Sequence, residues 1–150
     1  MEALDLRNAP PRGPRAQLAG IVFTGRVVDK LRASLPGGEL NGYFPFIGFS
    51  ELWAYYTGID LRELHGVVER AASEAEVEAW IAERTADVDK AKINGKMERF
   101  ESSRTSADMR EIFERSYPVE LRERHPVLFD LFDADDARLY SGPTPSGTPQ

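Results

Sequence analysis

The sequence has no cysteine, which excludes disulfides and thiolate chemistry and leaves no redox compartment to be read. It has only two histidines. His65 stands beside Gly66 and His125 precedes Pro126, neither with a partner four residues on, so no metal site is expected. No stretch approaches the roughly 20 uninterrupted apolar residues of a membrane span, so no membrane partner is expected. The opening MEALDLRNAPPRGPR begins acidic and lacks an apolar core, so it is not read as a signal peptide, and cytoplasmic residence is the expectation. Phosphate loops, dinucleotide fingerprints and nucleophile elbows are missing, and Gly48-Phe49-Ser50-Glu51-Leu52 fails the last at its final position. No cofactor is therefore expected. Internal repeats and interdomain linkers are also lacking.

What is present is a chain of 150 residues with ordinary apolar content, enough for one domain with a real core. The net charge is −6, and it is unevenly spread. Residues 1–35 hold six basic side chains against three acidic ones, a balance of +3, so the remainder carries −9. An acidic protein without a long basic stripe is a poor nucleic-acid binder. Its positive end can attract a small anion or an acidic segment of a partner protein, or pair with acidic helices of its own chain.

The longest apolar-rich run is PRAQLAGIVFTGRVVDKLRASL, residues 14–35. At about 100° per residue, Leu18, Ile21, Phe23, Val27, Val28, Leu31 and Leu35 cover well over half the circumference. Such a helix is buried on most sides. Arg15, Arg26, Asp29 and Lys30 share the remaining arc. Gly20 and Gly25 each cost ~1 kcal/mol in a regular helix, so a kink is expected near Gly25, with Thr24 as a cap for the second half. The β-branched and aromatic residues Ile21–Phe23 offer a short strand as the competing reading.

Around this run the chain reads as an extended arm over 1–13, a helical domain over 14–140 and a disordered tail over 141–150. Residues 36–48 are a Gly- and Pro-rich loop with an apolar second half. Ser50 caps a short helix that Gly58 stops. Asp60 and Ser73, each with an acid three residues on, open two more helices. Residues 87–101, ADMREIFERS after Ser106, VELRERH after Pro118 and VLFDLF after Pro126 supply the rest. The expectation is all-α: one compact domain of six or seven helices around a central kinked helix, residues 14–35.

Pro11-Arg12-Gly13-Pro14-Arg15, Ala19-Gly20 and Arg26-Val27-Val28-Asp29-Lys30-Leu31-Arg32-Ala33 resemble a bacterial family of uncharacterised proteins, domain of unknown function family 5069. The likeness runs on through Tyr55-Tyr56-Thr57-Gly58-Ile59 and Glu76–Trp80, and so covers most of residues 4–100. Ala19 departs from the first glycine of the family's Gly-Gly pair, and Gly25 stands where a proline is expected before the arginine. The resemblance implies a soluble helical protein and brings no activity with it.

The residues that could carry chemistry are the cations around Asp29. Asp29 lies three residues from both Arg26 and Arg32, so ion pairs along one helix face are available. They read either as an internal network that fixes the arm on the core, or as a site. In the site reading Arg12, Arg15, Arg26, Lys30 and Arg32 gather on an anionic group, because guanidinium forks match carboxylate and phosphate. Seven of the fifteen aromatics fall within residues 43–56, filling the core or lining a pocket. Asp130, Asp133, Asp135 and Asp136 lack the glycine and distal glutamate of a calcium loop and read as a solvated acidic turn. The leading expectation is a small protein that binds an anionic small molecule or an acidic partner segment. The alternatives are a metal-independent enzyme with Asp29 as general base and Tyr55 or Tyr56 as acid, and a purely structural subunit.

Overall fold

Residues 14–35 do not form one kinked helix. In the computed structural model, which describes residues 1–141, the first half of the run is a small antiparallel hairpin. Strand β1 (Gln17–Leu18) pairs with β2 (Ile21–Val22), Gln17 opposite Val22 and Leu18 opposite Ile21. The two residues between them, Ala19 and Gly20, both take positive φ, 54° and 76°. A two-residue hairpin turn of this hand needs that conformation at both positions. Pro14 therefore starts no helix, and its carbonyl instead accepts the Phe23 N–H at 2.8 Å. The break falls at Phe23, whose φ of 68° begins helix α1 (Thr24–Ala33), rather than at Gly25 inside it. Gly25 has a different role: a Cβ there would lie 3.1 Å from the Arg12 guanidinium, which rests on the first turn of the helix.

The architecture is mostly helical rather than all-α, with eight α-helices among the described residues. After α1 come α2 (Phe49–Thr57), α3 (Leu61–Arg70), α4 (Glu74–Arg84), α5 (Lys90–Glu98), α6 (Ala107–Ser116), α7 (Val119–Arg124) and α8 (Leu128–Tyr140). None is long and apolar enough to cross a membrane. The sequence punctuates most of them locally. Asp60, Ser73, Asp89 and Ser106 accept hydrogen bonds from the exposed N–H groups of α3, α4, α5 and α6. Ser50 caps nothing: Gly48 occupies the cap position of α2, and Ser50 lies buried within the first turn. The tail expected over 141–150 falls, from residue 142 on, outside the described residues.

Helix α1 is the axis. Every residue of it except Arg32 is buried. Val27, Val28 and Leu31 pack into a core with Trp53, Leu64, Ile81, Met97 and Phe129. The Trp53 indole N–H reaches the Thr24 hydroxyl at 2.9 Å within it. Asn94 of α5 ties the hairpin down, accepting from the Val22 N–H at 3.0 Å and donating to the Gly20 carbonyl at 2.9 Å. At the arm, the terminal ammonium of Met1 donates to the Val68 and Ala71 carbonyls at the end of α3, where the helix dipole favours a cation. Leu6, itself part of the arm, is buried.

The loop 36–48 is held close against the end of α1. Glu39 donates its N–H to the Leu4 carbonyl and accepts from the Leu6 N–H. An alanine Cβ at Gly38 would stand 2.4 Å from the Ala33 carbonyl oxygen, a backbone atom that cannot swing aside. Gly38→Ala is expected to cost about 2 kcal/mol in chemical denaturation. Unchanged stability would show that the loop can lift off α1.

Candidate functional site

The expected strip of cations is dispersed. Arg12 belongs to the arm and points its guanidinium at Asp29, with Nε 3.1 Å from Oδ2 and Nη2 3.0 Å from Oδ1. The Arg12 backbone N–H adds a third bond to Asp29 at 2.8 Å, and the same guanidinium pairs with Glu74. Arg15 reaches Asp130 at 2.6 Å and Asp133 at 2.7 Å on α8. Arg32 donates to the Glu2 carbonyl at 3.0 Å. Asp29 and Arg32 line an open hollow under the arm with Arg12 and Glu74, and neither Tyr55 nor Tyr56 joins them there. Tyr55 is 79% exposed.

Two cations of the strip, Arg26 and Lys30, turn the other way. They lie one helical turn apart on α1 and both line a cavity of about 260 Å³. Its walls are aromatic: Phe23 and Phe49 from the core side, Phe113 and Tyr117 from α6 and its end, Phe132 from α8 and Tyr43 from the loop. These rings lock one another. Phe23, Phe113 and Tyr117 each meet Phe132 with centroids 6.0–6.2 Å apart, and Phe49 does so at 5.7 Å. The more exposed Phe44, Ile47 and Leu139 also border the cavity.

The charged groups around the cavity are paired, with one exception. Arg26 holds Asp136 in a two-point fork at 2.6 and 3.1 Å, and the Tyr43 hydroxyl donates to the same carboxylate at 2.7 Å. Burial disfavours the Arg26 charge, but the hydrogen bonds and charge of Asp136 outweigh it and raise its pKa. Arg138 pairs with Asp135 at 2.6 Å. Burial raises the pKa of Asp135, opposed by that arginine. Lys30 is the exception. Its ammonium nitrogen donates to the neutral Ser50 hydroxyl at 2.7 Å and sits 5.3 Å from the Phe23 ring centre. It has no carboxylate partner among the described residues. Burial first, and the nearby Arg26 charge second, push its pKa down to about 7, while the Asp136 charge works against them. Burial also raises the pKa values of Tyr43 and Tyr117, so both hydroxyls keep their protons.

The arrangement can bind an anion at Lys30 when it is charged, or present a free amine when it is not. The most consequential residue the sequence reading misplaced is Asp136. It is buried rather than part of a solvated turn, as is Asp135; Asp130 and Asp133 stay half exposed at the Arg15 pair. The signal available was spacing: 130, 133 and 136 recur every three residues beside an apolar run, which sets a row of acids along one helix. Ser50 carried no such signal beyond its assignment as a cap. Among the described residues no three His, Cys, Asp or Glu side chains gather so as to hold a metal ion.

Residues 8–138 match the model of the family described as Domain of unknown function (DUF5069). No curated protein matches the chain.

Proposed function

The chain belongs to the DUF5069 family, and for it we propose a binding function: a compact small molecule with an apolar body and one anionic head, seated in the aromatic cavity with its head on Lys30. The observation that carries this reading is the unpaired ammonium. Each arginine at the cavity already has its own carboxylate, and Lys30 has only a hydroxyl. A ligand carboxylate would supply the missing counter-charge where burial makes it most valuable. Size favours a small molecule over an acidic protein segment. About 150 Å³ suffices for benzene, so the cavity of about 260 Å³ has room for a ring with a short substituent and not for a peptide.

Binding of this kind is coupled to protons. The anion needs charged Lys30, whose pKa lies at about 7 in the free protein. Affinity for benzoate is expected to fall about tenfold per pH unit above that point and to level off below it. Calorimetric titrations at pH 8 in buffers of different ionisation enthalpy should register proton uptake. Lys30→Met should lose benzoate while its circular dichroism stays unchanged. Benzoate binding that survives in Lys30→Met, or that stays flat from pH 7 to pH 9, would overturn the reading.

A further inference from the structure

We propose that Lys30 is also a nucleophile, and that its amine condenses with a small aldehyde or ketone seated in the same cavity to form an imine. The inference rests on the reading of that cavity as a ligand site and adds a reaction to it.

The geometry carries it. Lys30 is the only lysine of the four that is buried. Its nitrogen is fixed by one donated hydrogen bond to Ser50, so in the amine form a lone pair and a second N–H remain. No carboxylate holds it as an ammonium. The groups that face it from the packed elements are Arg26 on its own helix, Ser50 and Phe49 on α2, Tyr43 on the loop, and Tyr117 and Asp136 beyond them. Of these, the Arg26 charge disfavours the ammonium and the Asp136 charge favours it, and Asp136 is already consumed by Arg26 and Tyr43. The Tyr43 proton is held by Asp136, which leaves the protonated Tyr117 hydroxyl, on the cavity wall, as the donor available to a carbonyl oxygen as it gains charge. The walls beside Lys30 are mostly aromatic and offer few groups that would hold the water needed to hydrolyse the product.

The step balances without a further reactant. The Lys30 lone pair forms a bond to the carbonyl carbon, and the carbon–oxygen π pair moves to oxygen. One proton passes from nitrogen to that oxygen, giving a carbinolamine. The second nitrogen proton leaves with the hydroxyl as water, and the carbon–nitrogen double bond closes. One amine and one carbonyl give one imine and one water, and nothing is oxidised or reduced.

The test uses the full chain with benzaldehyde, which has the body of benzoate and a neutral carbonyl head. Sodium cyanoborohydride traps any imine as a benzyl group, read by intact mass and located by peptide mapping. At pH 7.5 an ordinary lysine in water is only about one part in 1,000 free amine, and Lys90, Lys92 and Lys96 are not buried. Lys30 should therefore be labelled at least ~100-fold faster than any of them, and benzoate should slow its labelling. Mapping on the wild-type chain keeps the test valid whether or not a variant folds; Lys30→Met and Lys30→Arg, where folded, should take up label only slowly at the surface. Label spread evenly over the four lysines, or absent from Lys30, overturns the imine. If benzoate still binds with its pH dependence in that case, the binding reading survives alone; if benzoate does not bind either, both fall.

Discussion

Replacing Lys30 by methionine is expected to stabilise the protein by about 3 kcal/mol at pH 6 and to lose that advantage as the pH approaches 10. An unfolded lysine titrates at 10.5, and Lys30 in the folded chain at about 7. The folded state therefore disfavours the charged form by roughly 5 kcal/mol. Below pH 7 the side chain is charged in both states and the whole of that cost is present. Above pH 7 the folded chain releases the proton while the unfolded chain keeps it. The unfolded state then binds more protons, and wild-type stability climbs with pH until about 10.5. Methionine fills similar volume without a charge, but it leaves the Ser50 hydroxyl without its partner, at about 1–2 kcal/mol. Tyr43 and Tyr117 have raised pKa values and so lower stability only above about 10, equally in both proteins. Urea unfolding of the two proteins from pH 6 to pH 10 isolates Lys30 as the difference. Parallel curves would mean that the lysine is charged in the folded state across the range.

A lysine that costs the fold this much, in a place an apolar side chain would fill, is there for something other than stability. The surroundings agree with that. Arg26 and Arg138 are neutralised in place by their own carboxylates, and the rings around Phe132 are locked against one another. One amine without a carboxylate partner stands among mostly apolar walls.

The helix caps were legible in the sequence because their chemistry is local. Asp60, Ser73 and Ser106 bond N–H groups two or three residues ahead, well within reach of a spacing rule. The hairpin was not, although Ile21 and Val22 offered the strand. Its decisive feature is positive φ at Ala19 and Gly20, and an alanine there does not advertise it. The strip of cations failed for a related reason. A helical period groups Arg15 with Lys30, but Arg15 precedes the hairpin, so no common helix relates them. Arg26 and Lys30 do share a helix, and they alone reached the same cavity. What completes their surroundings comes from far along the chain: Ser50 is 20 residues from Lys30 and Asp136 is 110 from Arg26. Periodicity sees which face a residue occupies, and not which distant side chain arrives to meet it.

Breaking the Arg26–Asp136 pair from one side is expected to cost about 4 kcal/mol, and removing both partners much less. Each side chain is less than a tenth exposed. Arg26→Met leaves the Asp136 carboxylate buried with only the Tyr43 hydroxyl. Asp136→Leu leaves a guanidinium between the Tyr43 and Phe132 rings, 5.5 and 5.6 Å from their centres, with no carboxylate to hold. A single uncompensated charge in such a place costs about 3–5 kcal/mol, whereas two apolar residues of similar volume are often tolerated. The double variant should therefore regain most of the loss, so that in a double-mutant cycle its cost falls far below the sum of the two single costs. The two single variants should also part in their effect on Lys30. Removing Arg26 takes away a repelling cation and frees Asp136 to attract the ammonium, so the Lys30 pKa rises. Removing Asp136 takes away the attraction, so it falls further. Benzaldehyde labelling at pH 7.5 should then slow in Arg26→Met and hold in Asp136→Leu, provided each variant is assayed below its unfolding transition. Additive stability costs would show that the two side chains do not act as a pair, and equal labelling in both variants would cut the electrostatic link from that pair to the amine.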